Sequence, residues 1–199
     1  MSGIVGQNTL DNSGLIKAPA GGGAWNFISK QTASSSADIS FTSGIDSTYK
    51  EYIFTLNNIH PQTDIVDFYV NFSIDGGSNY DVNITSTYFA AYHAESGAYA
   101  DVGYSTNSDV AEGTNATIAD NIGADADQSF SGSMYLFSPS STTFAKHWML
   151  KSNYAEANAC NCAFCAGYAN TTSAVDAIQF KMSSGNIDAG DICLYGITT

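Results

Sequence analysis

Four cysteines lie in the C-terminal quarter of the chain, and a cluster of thiols is a candidate metal site. Cys160, Cys162 and Cys165 form a C-x-C-x2-C pattern, with Cys193 further along. Four thiolates could bind zinc tetrahedrally. In a β-strand, however, Cys160 and Cys162 face one side and Cys165 the other, so the three converge only if the segment turns. We therefore prefer buried, unpaired cysteines that act as small apolar residues, with zinc ligation and a disulfide as the alternatives.

Acidic residues form a second candidate metal site. Asp120, Asp125 and Asp127 cluster in a stretch without strand pattern, and Asp188 and Asp191 precede the last predicted strand. Calcium needs several oxygen ligands from one folded loop, and neither cluster has the D-x-D-x-D-G register. Solvated loop charge is the preferred interpretation, with calcium at the first cluster as the alternative. We expect no cofactor.

Catalytic motifs are not evident. The chain has no G-x-S-x-G turn for a serine nucleophile, so His60, His93 and His147 are interpreted as ordinary loop or strand residues. Two carboxylates could cleave a glycosidic bond, but spacing alone selects no pair among the nineteen acidic residues. We expect that the protein is not an enzyme.

Aromatic residues could form a surface that binds a protein or a sugar, since amphipathic rings contribute a large contact area. Most aromatics in strands belong to the core. Tyr99 and Tyr104 lie in a polar stretch and are the better candidates for exposed contacts.

Composition restricts the partners. Six basic residues against nineteen acidic ones give a net charge of −13, which repels phosphate backbones and anionic lipid. No apolar stretch approaches the roughly 18 residues of a membrane span. We therefore expect neither nucleic acid nor a membrane as a partner. Charged residues make up only 13 %, and the hydroxyl-rich remainder favours contacts with proteins or sugars.

The elements that must position these residues are predicted to be strands. Apolar residues alternate with polar ones over 52–57 and 68–74, and strand character recurs over 82–91, 133–137, 144–150, 160–168, 177–182 and 191–197. Eight or nine strands without an amphipathic helix predict an all-β fold, an antiparallel β-sandwich for which a jelly roll is one candidate arrangement. The segment 75–79 predicts a hairpin turn, and 95–129 predicts one or two long surface loops.

The chain is divided into two parts. Residues 25–199 are predicted to form the sandwich domain. Residues 1–24 are predicted to form an extended N-terminal arm that ends in a glycine hinge and cannot easily order by itself. Its apolar residues are candidates for binding a partner: Ile4, Val5, Leu10, Leu15 and Ile16.

Three parts of the sequence carry a family resemblance. They are GGAWNFI (22–28) with TASSSA (32–37) and YKEY (49–52); SIDGGSNY (73–80); and FKM (180–182) with SGNI (184–187) and LYGI (194–197). Together they resemble small virion structural proteins of tailed bacteriophages, many from marine hosts, over about residues 20–197. The resemblance implies a β-sandwich on the particle, without a catalytic motif. Members include capsid, decoration and tail proteins.

Two functional hypotheses follow. The first is a capsid decoration or cement subunit, assembled in the bacterial cytoplasm, that attaches to major capsid or tail proteins and to its own copies through the arm and the sandwich surface. The reducing cytoplasm agrees with free cysteines. The second is a tail-borne adhesin or fibre-associated protein whose loops over 95–129 bind a host surface glycan or protein. A hydrolase acting on capsule polysaccharide is a third, less favoured class.

Overall fold

The computed structural model describes residues 24–198, and all of its regular structure is β-strand. The strands are β1 (Trp25–Ser36), β2 (Ile39–Phe41), β3 (Glu51–Pro61), β4 (Val66–Ser73), β5 (Ile84–Ala94), β6 (Ala100–Tyr104), β7 (Val110–Gly113), β8 (Ala116–Ile122), β9 (Phe130–Phe137), β10 (Lys146–Glu156), β11 (Ala159–Ala169), β12 (Ala177–Met182) and β13 (Ile187–Ile197). Across the described residues no helix is long and apolar enough to cross a membrane. The predicted arm lies outside the described residues, except for Ala24.

The strands form two antiparallel sheets. The larger has nine strands in the order β1-β13-β3-β9-β10-β11-β5-β6, with β7 also paired to β5, and the smaller has four in the order β2-β12-β4-β8. Buried residues of both sheets belong to one hydrophobic core. The prediction of an all-β, antiparallel, sandwich-like fold is confirmed, although the described chain has thirteen strands instead of eight or nine.

Alternation along each strand determines which side chains enter the core. In β10, Trp148 and Leu150 are buried while Met149 and Lys151 are exposed. Successive side chains of a strand point to opposite faces of the sheet. Every second side chain of these strands therefore lies between the two sheets. The nine-stranded sheet therefore has an inner face against the small sheet and an outer face that no described element covers.

An aromatic cluster joins the two sheets. Phe180 of β12 lies edge-on to Phe54 of β3, with ring centroids 5.5 Å apart, and its ring is also near those of Phe68 and Phe41. All four rings are almost fully buried. Edge-to-face aromatic contacts add to the free energy gained by burying the rings. This cluster is the centre of the contact between the sheets.

The sequence pattern predicted a hairpin turn over residues 75–79. The structure shows that this prediction is wrong, because the strands on either side of the turn do not pair with each other. β4 pairs with β8 and β12 in the small sheet, whereas β5 pairs with β11, β6 and β7 in the large one. The chain therefore crosses between the sheets after residue 75. Alternation identifies a strand but not its partner, which depends on long-range packing.

The prediction of surface loops over residues 95–129 is wrong. This segment contains β6, β7 and β8, and in β8 Ala116, Ile118, Ala119 and Ile122 are fully buried. β8 is short, and two of its core residues are alanines, so its apolar pattern is weak. Pairing with β4 and burial against β10 and β5 stabilise it as a strand.

Asp75 organises the crossing turn. Its carboxylate accepts hydrogen bonds from the Asn79 backbone at 2.9 Å, the Asn79 side chain at 2.7 Å and the Ser73 hydroxyl at 2.7 Å. The Asn79 side chain and backbone, followed by Ser73, lower the pKa of Asp75 to about 2. Hydrogen bonds to the charged form of a carboxylate favour that form, so the carboxylate is more acidic in the folded chain than in the unfolded one.

We expect the Asp75→Asn variant to unfold at a lower temperature than the wild type at neutral pH, and the difference to disappear in acid. Because the folded pKa lies below the unfolded value of 3.8, the unfolded chain binds more protons between the two. The contribution of Asp75 is therefore complete above pH 3.8 and is lost as the pH falls through about 2. Thermal melts of both proteins across this range measure the effect. Asp81→Asn, at an exposed carboxylate after the turn, is the control; equal pH dependence of the two variants would contradict the assignment.

Candidate functional site

The nine-stranded sheet is wider than the four-stranded one, so part of its inner face is uncovered. β8 is the edge strand of the small sheet, and it packs against β10, β5 and β11 of the large one. A pocket of about 390 Å³ occupies this region, which we call the acidic pocket. It is lined by Tyr88, Ala90, Tyr92, Asp101, Gly103, Tyr104, Ser105, Thr106, Asn107, Asp120, Glu156 and Asn161.

Asp120 lies at an irregularity of β8. Val66 pairs with Ile122 but Phe68 pairs with Ala119, so β8 contains one extra residue between these pairs. Asn121 has a positive φ of 51°. Such a bulge bends a strand and changes the direction of nearby side chains. The carboxylate of Asp120 contacts β5 and β10 of the opposite sheet.

Three hydroxyl groups donate to this carboxylate. Tyr88 donates at 2.9 Å, Ser108 donates at 2.8 Å, and Tyr154 also donates to it. The two tyrosine hydroxyls are 2.8 Å apart. Burial raises the pKa of both tyrosines, and the negative charge of Asp120 raises the pKa of each further. The tyrosines therefore stay protonated and act as donors.

Glu156 is the second carboxyl group of the acidic pocket. Burial raises its pKa, and the negative charge of Asp120 raises it further. The side-chain amide of Asn161 donates to Glu156 Oε2 at 3.2 Å. Glu156 is therefore a weaker acid than an exposed glutamate.

Three tyrosines lie close to the acidic pocket. Tyr92 is 37 % exposed and Tyr104 is 54 % exposed. Tyr99 does not line the pocket but packs edge-on against Tyr92, with ring centroids 5.9 Å apart. The Tyr104 hydroxyl donates to Asp109 at 2.6 Å. Tyr104 pairs with Phe89 of β5, whose side chain is on the outer face, so its ring is on the outer face as well, and Tyr92 presents the exposed ring beside the polar groups of the pocket.

A second candidate site is the outer face of the nine-stranded sheet. Cross-strand pairing places one row of side chains from β1 to β11, which we call the outer row: Phe27, Tyr195, Ile53, Tyr135, Met149 and Ala166. Phe27 is 61 % exposed and Met149 is 54 % exposed. Large exposed apolar patches are uncommon on monomeric soluble proteins and are typical of interaction sites.

A groove of about 380 Å³ continues the outer row toward β5. Phe89 and Phe164 stack in it, with centroids 5.1 Å apart and rings 7° from parallel. Lys151 Nζ lies 5.3 Å from the centroid of Phe164, a cation–π contact. Lys151 is the only charged residue among those of the described chain that line the groove. A groove that is aromatic and has a single charged side chain at its wall is suited to binding a largely apolar partner surface.

The structure does not bring the four cysteines together. Cys160 and Cys162 are on the outer face of β11 and Cys165 is buried on its inner face, as the parity predicted. Cys193 lies on β13, and β3, β9 and β10 separate it from β11. All four thiols are free, but the prediction of buried cysteines holds only for Cys165: Cys160 is exposed, and Cys162 and Cys193 are half-buried, because the side chains of these three lie on the outer face. Burial raises the pKa of Cys165.

The predicted aspartate cluster is also divided. Asp120 is in the acidic pocket, while Asp125 and Asp127 are exposed in the turn before β9. Within residues 24–198 no group of three or more acidic, histidine or cysteine side chains is placed to bind a metal ion. Tyr99 and Tyr104 are exposed, as predicted, and the candidates Ile4, Val5, Leu10, Leu15 and Ile16 lie outside the described residues.

Sequence reasoning missed the partners of Asp120. Tyr88 is 32 residues away in the chain and Tyr154 is 34 residues away. Glu156 and Asn161 flank the turn between β10 and β11 and have no motif spacing. No local pattern relates these positions, because strand pairing and sheet packing alone bring them together.

Comparison of the chain with models of protein families, with curated proteins and with solved structures gives no match.

Proposed function

We propose that this protein is a structural protein of a bacteriophage virion, most closely a capsid decoration or cement subunit. It attaches to other virion proteins, and to its own copies, through the outer face of the nine-stranded sheet. The outer row is the observation that supports this proposal. The family resemblance supports the virion as its location. No catalytic role is part of the proposal.

The outer row has the features of a protein interface. Its residues come from six neighbouring strands of one sheet, and all of them except the fully buried Ile53 are at least partly exposed. Interface cores are depleted in charge and enriched in aromatic residues and methionine. Phe27, Tyr195 and Met149 fit that description, and Trp25 beside them is 47 % exposed. Water is released from this surface when a partner covers it, which favours association.

Two further parts of the proposal come from the sequence. Residues 1–24 act as an arm that clamps a neighbouring subunit. The strands follow a jelly-roll arrangement, an architecture that occurs in viral capsid proteins. Assembly takes place in the cytoplasm of the bacterial host, and the major capsid protein or a tail protein is the partner.

We expect the Met149→Glu variant to bind virions at least about tenfold more weakly than the wild type, a loss of about 1.4 kcal/mol. A carboxylate in the middle of the outer row would lose its hydration when a partner covers that surface. Because Met149 is exposed, the fold tolerates the change. Co-sedimentation of the full chain with particles prepared without this protein measures the binding.

Phe144→Glu is the matched control for that experiment. Phe144 is 71 % exposed but precedes β10 in a loop, away from the outer row. This variant should sediment with particles as the wild type does. Wild-type binding by Met149→Glu would exclude the outer row as the attachment surface.

A tail-borne adhesin is the second candidate, and the acidic pocket is the observation that favours it. The segment expected to form recognition loops contributes β6, β8 and residues 105–107 to the walls of that pocket. Copy number in purified virions distinguishes the candidates. Copies on the order of hundreds place the protein on the capsid, whose symmetry repeats each site many times, and a few to tens place it on the tail.

A further inference from the structure

We infer that residues 1–23 fold back over the outer face of their own sandwich, so that their apolar side chains lie on the outer row of the free subunit. This inference rests on the proposed function, because it names what covers the attachment surface before assembly. Attachment to a virion then requires the segment to leave the outer row. The released segment is the part of the chain that clamps a neighbouring subunit.

The surface to be covered extends across the whole large sheet. Beside the outer row, cross-strand pairing forms a second row on the same face: Lys30, Cys193, Thr55, Ser133, Lys151, Phe164, Phe89 and Tyr104. Neither row contains an acidic residue, although the chain has nineteen. Exposed aromatic surface of this extent is typical of an interaction site.

Charge selects residues 1–23 as the occupant of this surface. Asp11 and Lys17 are their only charged residues, so the segment has no net charge and the whole −13 belongs to residues 24–199. A second free sandwich on the outer face would bring its negative charge against that of the first. The apolar side chains of the segment are Ile4, Val5, Leu10, Leu15 and Ile16. The segment therefore supplies apolar contacts without the repulsion.

The segment joins the sandwich at a corner of the outer face. Ala24 accepts a hydrogen bond from the backbone N–H of Thr198 at 3.1 Å, so it belongs to the edge of the large sheet. The next side chain, Trp25, lies on the outer face, with its ring centroid 5.6 Å from that of Tyr195. Three glycines, residues 21–23, precede this corner. Because glycine adopts φ angles of either sign, the chain can turn directly onto the outer face there.

The segment is long enough to reach the whole surface. From β1 to β5 the large sheet has six strand spacings of about 4.8 Å, a width of about 29 Å. An extended chain spans about 3.3 Å per residue, so the nine residues from Leu15 to Gly23 reach about 30 Å. Because the segment is joined to the surface, its effective concentration there is on the order of millimolar. A contact within one chain is therefore favoured over a contact between free chains.

Methyl NMR on the full chain tests the inference. Met149 is an exposed member of the outer row, whereas Met134 and Met182 are buried. With ¹³C-methyl methionine, a soluble gadolinium chelate broadens the Met149 signal to an extent that depends on the exposure of its methyl group. We expect this broadening to be at least about twofold weaker in the wild type than in a variant with Leu15→Ser and Ile16→Ser, because the segment covers the row in most wild-type molecules.

A variant with Asn8→Ser and Thr9→Ser is the matched control. It changes two polar residues of the same segment and should leave the broadening at the wild-type value. The buried methyl groups of Met134 and Met182 should resist the chelate in every variant, which verifies the fold. Because the contact lies within one chain, the protection of Met149 should also survive dilution by about tenfold.

Two results would overturn the inference. Equal broadening of the Met149 signal in the wild type and in the variant with Leu15→Ser and Ile16→Ser would mean that residues 1–23 do not cover the outer row. Protection that disappears on dilution would identify a second copy as the occupant. Co-sedimentation of Met149→Glu tests the attachment surface separately. Wild-type virion binding by that variant, with a protected methyl group in the wild type, would keep the cover and reject the attachment proposal.

Discussion

Replacing Phe180 by alanine is expected to lower the free energy of unfolding by about 3 to 5 kcal/mol. The Phe180 side chain is fully buried, and its ring contacts Phe54 of the large sheet and Phe41 and Phe68 of the small one. Alanine would leave a cavity between the two sheets. Because the interior is closely packed, neither sheet can move locally to fill that cavity. Because domains are stable by only about 5 to 15 kcal/mol, the loss is a large share of the total.

Urea unfolding followed by circular dichroism measures this change. Phe144→Ala, at a ring that is 71 % exposed, is the control and should change stability by less than about 0.5 kcal/mol. Phe180→Leu should cost less than the alanine variant, because leucine fills part of the space. If Phe180→Ala were as stable as Phe144→Ala, the aromatic cluster would not be the contact that joins the sheets.

Replacing Asp120 by alanine is expected to destabilise the fold by about 3 kcal/mol. The change removes the acceptor of three hydroxyl groups, and Tyr88 and Tyr154 are each only 1–2 % exposed. Hydrogen bonds to a charged group are stronger than hydrogen bonds between neutral groups. A buried hydroxyl that loses its acceptor is also left without a hydrogen bond to replace the one it made to water in the unfolded chain. Asp120→Asn retains an acceptor oxygen and should cost less, about 1 kcal/mol.

Asp109→Ala is the matched control for Asp120. The carboxylate of Asp109 accepts only the hydroxyl of the exposed Tyr104, so its removal should cost less than about 0.5 kcal/mol. The denaturant midpoints of Asp120→Ala, Asp120→Asn and Asp109→Ala measure these differences. The free energy of unfolding should fall with denaturant concentration at the same slope in all three variants. Equal midpoints for Asp120→Ala and Asp109→Ala would mean that the buried hydroxyls do not depend on Asp120.

The alternation of apolar and polar residues correctly predicted where most strands lie. Residues 52–57 and 68–74 illustrate this, since they fall almost entirely within β3 and β4. Parity alone also placed Cys160 and Cys162 on one face of β11 and Cys165 on the other. These predictions succeed because side-chain direction in a strand has a fixed period of two, which the sequence records directly.

Hydropathy misplaced two neighbours at the start of β10. Phe144 was expected within the strand but is exposed before it, whereas Lys146 is fully buried. The Lys146 ammonium donates to the backbone carbonyls of Phe144 and Thr171, at 2.7 and 3.0 Å, and burial lowers its pKa. Those carbonyls come together only in the folded chain, so no local pattern could have predicted a buried lysine.

The sequence by itself determined the all-β class, the positions of β3 to β5 and of β9 to β13, the faces on which Cys160, Cys162 and Cys165 lie, and the low content of charged residues. Only the tertiary structure decided that β4 and β5 belong to different sheets, that β8 is buried, and that Asp120 meets Tyr88 and Tyr154. The physical reason is the range of the interactions. Alternation is a local property of the backbone, whereas sheet partners and the acidic pocket depend on contacts between residues far apart in the chain.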